Sequence, residues 1–175
     1  DLGIIYEIKI ENVSFVILHE MLEDLNISAE EVQFAAIANM KKQAKIQTMR
    51  EILSEHFLEA EVSPQKESSA EMYVVSAGDD LITGKLSNGA AAILSRSIRK
   101  QIVKRMGGNA YLLPSSIEEF IVCPEIKGEE KELLKMVYSI NHSDIIPDSL
   151  FLSNSIYYLE ENGDIRVITS EKMKP

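Results

Sequence analysis

The chain has a single cysteine and so cannot close an internal disulfide, which suits a reducing compartment. Cys123 ends the apolar run Phe120-Ile121-Val122 and precedes Pro124, with no base beside it. It reads as a small buried hydrophobe, not as a thiolate nucleophile. No apolar run approaches the ~18 residues that a membrane-crossing helix requires. The opening Asp1-Leu2-Gly3-Ile4-Ile5-Tyr6 has no basic leader and no small-residue cleavage site, which argues against a secretion signal. An initiator methionine is absent too, so the expectation is a cytoplasmic protein cut from a longer chain or stripped of its natural start.

Catalytic signatures are equally scarce. His19-Glu20 is not followed by a second histidine one helical turn on, and His56 and His142 are far away in sequence. No metal site and no cofactor are therefore expected. Asp79-Asp80 lacks the further oxygen ligands of a calcium loop and reads as a solvated turn. Ser115-Ser116 follow Pro114 without the glycines of a Gly-x-Ser-x-Gly elbow. One of these serines is expected to cap the turn into Ile117-Glu118-Glu119. The rival reading is a hydrolase-like cluster of Ser115, Ser116, Glu118, Glu119 and His142 with Asp144, which needs those groups within hydrogen-bond reach.

Acidic residues are missing from one long stretch. Residues 81–117 hold none, yet carry Lys85, Arg96, Arg99, Lys100, Lys104 and Arg105. The formal net charge of −10 therefore divides into +6 there and −16 elsewhere, 12 basic against 28 acidic residues. The overall balance argues against generic nucleic-acid binding, which needs clustered cations.

With 175 residues and 45% apolar composition, the chain can bury one sizeable core. Residues 4–10 alternate as a half-buried strand, and 15–18 form a second strand or a helix start. Ser28 with Glu31 makes a capping box that starts a helix reaching about Lys42. Helical spacing of Met49, Ile52, Leu53 and Phe57 predicts another helix over 46–57. The polar segment 59–71, with Pro64, reads as an exposed loop, and 72–76 as a strand.

Asn88-Gly89 opens a predicted amphipathic helix over 88–106, closed by Gly107-Gly108. Its apolar face holds Ala91, Leu94, Ile98, Ile102 and Met106; its opposite face holds Arg96, Arg99, Lys100 and Lys104. That basic face is either solvated, set against acidic neighbours such as Glu129-Glu130, or a binding surface for an acidic protein or a phosphate. Exposed backbone N–H groups at Asn88 and Gly89 could hold an anion, though Gly-Ala at a helix start also permits tight packing. Strands follow at 111–114, which Pro114 should end or confine to an edge, and at 119–123. A helix is expected over 129–141, and a hairpin turns at Glu161-Asn162-Gly163-Asp164.

The run from Tyr111 to Glu119 (YLLPSSIEE) resembles a known family. So do Leu134-Lys135-Met136-Val137 with Asn141, the segment Leu152-Ser153-Asn154-Ser155-Ile156-Tyr157 and the opening from Asp1 to Tyr6. As a set they resemble the C-terminal part of the bacterial family catalogued as domain of unknown function 5688. The Gly89-Ala90-Ala91 step with Ile93-Leu94 also fits. The family often has histidine where this chain has Glu118, a departure that argues against catalysis at that position. Family members usually carry a further N-terminal region, and the family has no established activity.

These readings converge on one α+β domain over 1–175, with an antiparallel or mixed sheet of about five or six strands and three or four helices. The expected function is a non-catalytic interaction module of a larger bacterial protein. Its partner would be another protein or the N-terminal region. Hydrolase-like and anion- or nucleic-acid-binding roles are the alternatives, and oligomeric state is left open.

Overall fold

The computed structural model describes residues 2–10, 13–56, 71–78, 88–143 and 146–169. Asp79, Asp80, Lys85, Asp144 and all of the expected loop except the exposed Glu71 lie outside them.

In chain order the elements are β1 (Glu7–Ile10), β2 (Val13–Val16), α1 (His19–Leu25), α2 (Ala29–Gln43), β3 (Ala44–Thr48), α3 (Met49–His56) and β4 (Tyr73–Ala77). There follow a 3-10 segment (Gly89–Leu94), α4 (Arg96–Met106), β5 (Ala110–Ser116), β6 (Glu119–Pro124), α5 (Glu130–Asn141), a 3-10 turn (Asp148–Leu150), β7 (Ile156–Leu159) and β8 (Ile165–Ile168). Six strands make one antiparallel sheet in the order β3-β4-β6-β5-β7-β8. Among the described residues β1 and β2 pair only with each other. The fold is α+β.

Alternation along the strands sends side chains to two cores. Ala110, Leu112, Phe120, Val122, Tyr157 and Leu159 face one side, where Ala92 and Ile93 of the 3-10 segment and Ile98 and Ile102 of α4 cover them. Tyr111, Leu113, Cys123, Ile156 and Tyr158 face the other, under Leu134 and Val137 of α5. Edge-to-face rings brace both layers: Phe120 with Tyr157 at 5.7 Å and Tyr111 with Tyr158 at 5.4 Å between centroids. Such pairs contribute about 0.5–1.5 kcal/mol beyond the area they bury.

Several local signals act as expected. Ser28 Oγ accepts from Glu31 N at 3.2 Å while Glu31 Oε2 accepts from Ser28 N at 2.8 Å, so the capping box starts α2. Gly107 ends α4 in the left-handed region at φ 73°. Gly163, at φ 88°, turns the β7–β8 hairpin.

Four expectations need correction. The half-buried strand over 4–10 covers only Glu7–Ile10, and its described side chains lie exposed. The helix predicted over 46–57 begins only at Met49, because Ala44–Thr48 pairs with β4 from Ala44↔Ala77 to Thr48↔Tyr73. Distant pairing overrode local helical spacing. The boundary was nevertheless written in the sequence as a second capping box: Thr48 Oγ1 accepts from Glu51 N at 3.1 Å, and Glu51 Oε2 accepts from Thr48 N at 2.6 Å.

The single helix over 88–106 is two elements. Ser95, at φ −76° and ψ 114°, is extended and separates the 3-10 segment from α4. A wheel of 3.6 residues per turn fails on a segment with three. Leu94 is accordingly exposed and Ala90, Ala92 and Ile93 are buried. Pro114 neither ends β5 nor lies in an edge strand, because β5 runs between β6 and β7 to Ser116. Pairing to β7 covers only 110–112, and the register against β6 shifts between Pro114 and Ser116. The missing N–H thus falls where only one neighbour remains.

Candidate interaction surface

The described residues up to position 35 fold without being buried. Strands of four residues form β1 and β2, and an isolated two-stranded hairpin is marginally stable in water. α1 and α2 contain no buried residue. Met40, near the end of α2, packs against the sheet core and fixes that end of the arm. Of nineteen exposed large apolar side chains among the described residues, twelve lie between Leu2 and Phe34. Ile5 is 72% exposed and Phe34 78%. Scattered apolar exposure is ordinary, but a continuous concentration of it marks an interaction surface. Between α1 and α2 lies an open groove of about 450 Å³, where Leu22, Ile27 and Ala29 share the lining with polar His19, Asn26 and Ser28 and with Glu23 and Glu31.

The predicted basic face divides into clamping and exposed cations. Arg99 Nε donates to Gly163 O at 2.6 Å, and one terminal nitrogen donates to Ile93 O at 2.7 Å and Leu94 O at 2.9 Å. Burial lowers its pKa, helped by Arg96 and opposed by Asp164; a guanidinium stays charged nonetheless. Arg96 lies 3.8 Å from Asp164, both side chains 62% exposed. The acidic neighbour is therefore the hairpin turn, not the Glu129-Glu130 pair expected from the sequence. Lys100 and Lys104 are exposed. Arg105, outside the expected set, donates to Ile46 O at 2.8 Å and ties α4 to β3.

Gly89 is buried, and a Cβ there would overlap the Glu118 carbonyl oxygen and lie 2.5 Å from Ala77 N. The next N–H, of Ala90, donates to Ile117 O at 3.2 Å. Asn88 Nδ2 donates to Glu7 Oε2 at 3.3 Å. These groups join the 3-10 segment to the sheet and the hairpin.

The serine–carboxylate residues gather at the β5–β6 turn. Ser116 Oγ accepts from Glu118 N at 3.0 Å. Burial raises the Glu119 carboxyl pKa, a hydrogen bond from Ser115 opposes that, and the charge of Glu118 adds to it. His142 stands at the end of α5, exposed, with Nδ1 2.8 Å from Tyr138 O and its ring stacked 3.9 Å from Tyr138. No hydrogen bond among the described residues joins it to the serines or to Glu118 and Glu119. Nor do three His, Cys, Asp or Glu side chains stand together as metal ligands among those residues.

A polar network that sequence reasoning missed links β5, α5, β7 and β8. Tyr158 donates to Glu125 Oε1 at 2.8 Å, Asn109 to Glu125 Oε2 at 3.1 Å, and Tyr111 to Glu130 Oε1 at 3.2 Å. Arg166 lies 4.2 Å over the Tyr158 ring and 3.8 Å from Glu130. Nothing in the one-dimensional pattern brings these residues together. Burial pushes the Tyr111 phenol from 10.0 up to about 12, with the charge of Glu130 adding to the effect. Between those values the unfolded chain sheds a proton that the folded chain keeps, so stability is full below pH 10 and falls as pH rises toward 12. Urea unfolding across that window is expected to show a shallower alkaline decline for Tyr111→Phe than for the parent chain.

The fold and surface define an antiparallel α+β protein with a packed sheet and an exposed apolar N-terminal arm. The chain belongs to the family described as a family of unknown function, DUF5688, whose model matches residues 1–161. No curated protein and no solved structure matches it. Among the described residues no helix is long and apolar enough to cross a membrane.

Proposed function

We propose that this chain is a non-catalytic interaction module whose docking element is the N-terminal arm. The reading is carried by the contrast between a sheet packed on both faces and an arm that leaves twelve large apolar side chains exposed. Leaving that area in water forfeits about 25 cal/mol per Å², which a partner would recover. Support also comes from the β5–β6 turn, where the Ser116 hydroxyl accepts from Glu118 N, and from His142, which is bonded within its own helix.

Photo-crosslinking from position 34 in the source cell tests this. A discrete adduct is expected from the arm and none from Ser139, an exposed position on α5. Equal labelling from both positions, or none from 34, overturns the reading.

A further inference from the structure

We propose that the groove between α1 and α2 seats the basic face of α4 from a second copy of this chain, in a reciprocal dimer. The inference rests on the interaction reading above and names the occupant of the arm. Charge is its first support. Residues 1–40 hold eight acidic side chains against Lys9 alone, whereas α4 holds five basic residues and no acidic one. Arg96, Lys100 and Lys104 are spaced i, i+4, i+8, which sets them in a row along the helix, about 6 Å apart.

Chemistry of the groove is the second support. Leu22, Ile27 and Ala29 share its lining with polar His19, Asn26 and Ser28 and with the carboxylates of Glu23 and Glu31, a mixed surface that suits lysine, whose methylene stem packs on apolar surface while the ammonium seeks charge. Within one chain the described ion pairs leave this complementarity unused: Glu23 meets only the exposed His19, at 3.8 Å, and Arg96 meets Asp164 of its own hairpin. A two-fold arrangement satisfies both surfaces of both copies and closes, so it gives a dimer and not a filament.

Sedimentation velocity on the intact chain tests this, with circular dichroism to verify that each variant is folded. A dimer is expected at about 0.05 M salt, its dissociation constant rising at least tenfold at about 0.5 M. Lys100→Glu with Lys104→Glu, and separately Glu20→Lys with Glu23→Lys, are each expected to sediment as monomers. Mixing the two double variants restores both charge-paired interfaces and should regenerate the dimer. A parent chain that is monomeric at about 100 µM and low salt, a dimer insensitive to both double variants, or a mixture that fails to pair overturns the proposal. Crosslinking from position 34 separates the two readings: an adduct to a different protein from a monomeric chain sinks the self-pairing alone, and no adduct sinks both.

Discussion

Alanine in place of Gly89 is expected to cost about 3 kcal/mol, the upper end of what overpacking a well-filled site costs, and to lower the melting midpoint by roughly 6–12 °C. The added methyl has nowhere to go. Its nearest neighbours are backbone, the Glu118 carbonyl, the Ala77 nitrogen at 2.5 Å and Ser76 C at 2.9 Å, and backbone of a paired strand cannot swing aside as a side-chain tip can. The 3-10 segment would have to lift from β4 and the β5–β6 turn, opening the core over Val75 and Phe120. Thermal unfolding followed by circular dichroism checks this, and a midpoint within about 2 °C of the parent would show that the close approach is relieved elsewhere. Serine at the same position should behave like alanine, since the clash lies with the Cβ.

Arg99→Ala is expected to cost about 2 kcal/mol, in the range of a charge-assisted hydrogen bond to a part-buried partner. Three carbonyl acceptors lose their donor together: Gly163 in the β7–β8 turn, and Ile93 and Leu94 at the end of the 3-10 segment, where helical carbonyls have no internal partner. Lysine should recover only part of the loss, because a single ammonium cannot reproduce the planar fork spanning two elements. Lys100→Ala and Lys104→Ala, exposed on the same helix, should each stay within about 0.5 kcal/mol. Urea titrations of the four variants separate the clamp from the exposed cations. Equal effects at all three positions would mean that Arg99 is no clamp.

The two experiments bear on residues that the sequence offered as binding groups. Position in the basic stripe suggested one role for Arg96, Arg99, Lys100 and Lys104, but the stripe contains residues of two kinds. A helical wheel gives the angle of each side chain about its own axis. It does not tell what lies opposite, and opposite Arg99 lies a hairpin more than sixty residues later in the chain. The same gap hid the Tyr111–Glu130 and Tyr158–Glu125 pairs.

Where the deciding interaction spans three or four residues, the sequence was sufficient. The Ser28–Glu31 box, the Gly107 cap, the Gly163 turn and the Ser116 bond to Glu118 N all close within one turn of chain, so residue type and spacing settle them. The apolar runs of β5 and β6 likewise marked strands, buried on both faces, and with the helical segments gave the α+β class. The tertiary structure alone decided the rest. It made 44–48 a strand by pairing it to β4, broke the helix at Ser95, accommodated Pro114 inside β5, and left the arm's apolar residues in water. Local periodicity reports that a residue is apolar, not whether a neighbouring element arrives to cover it, because that depends on pairings between segments the chain brings together only on folding.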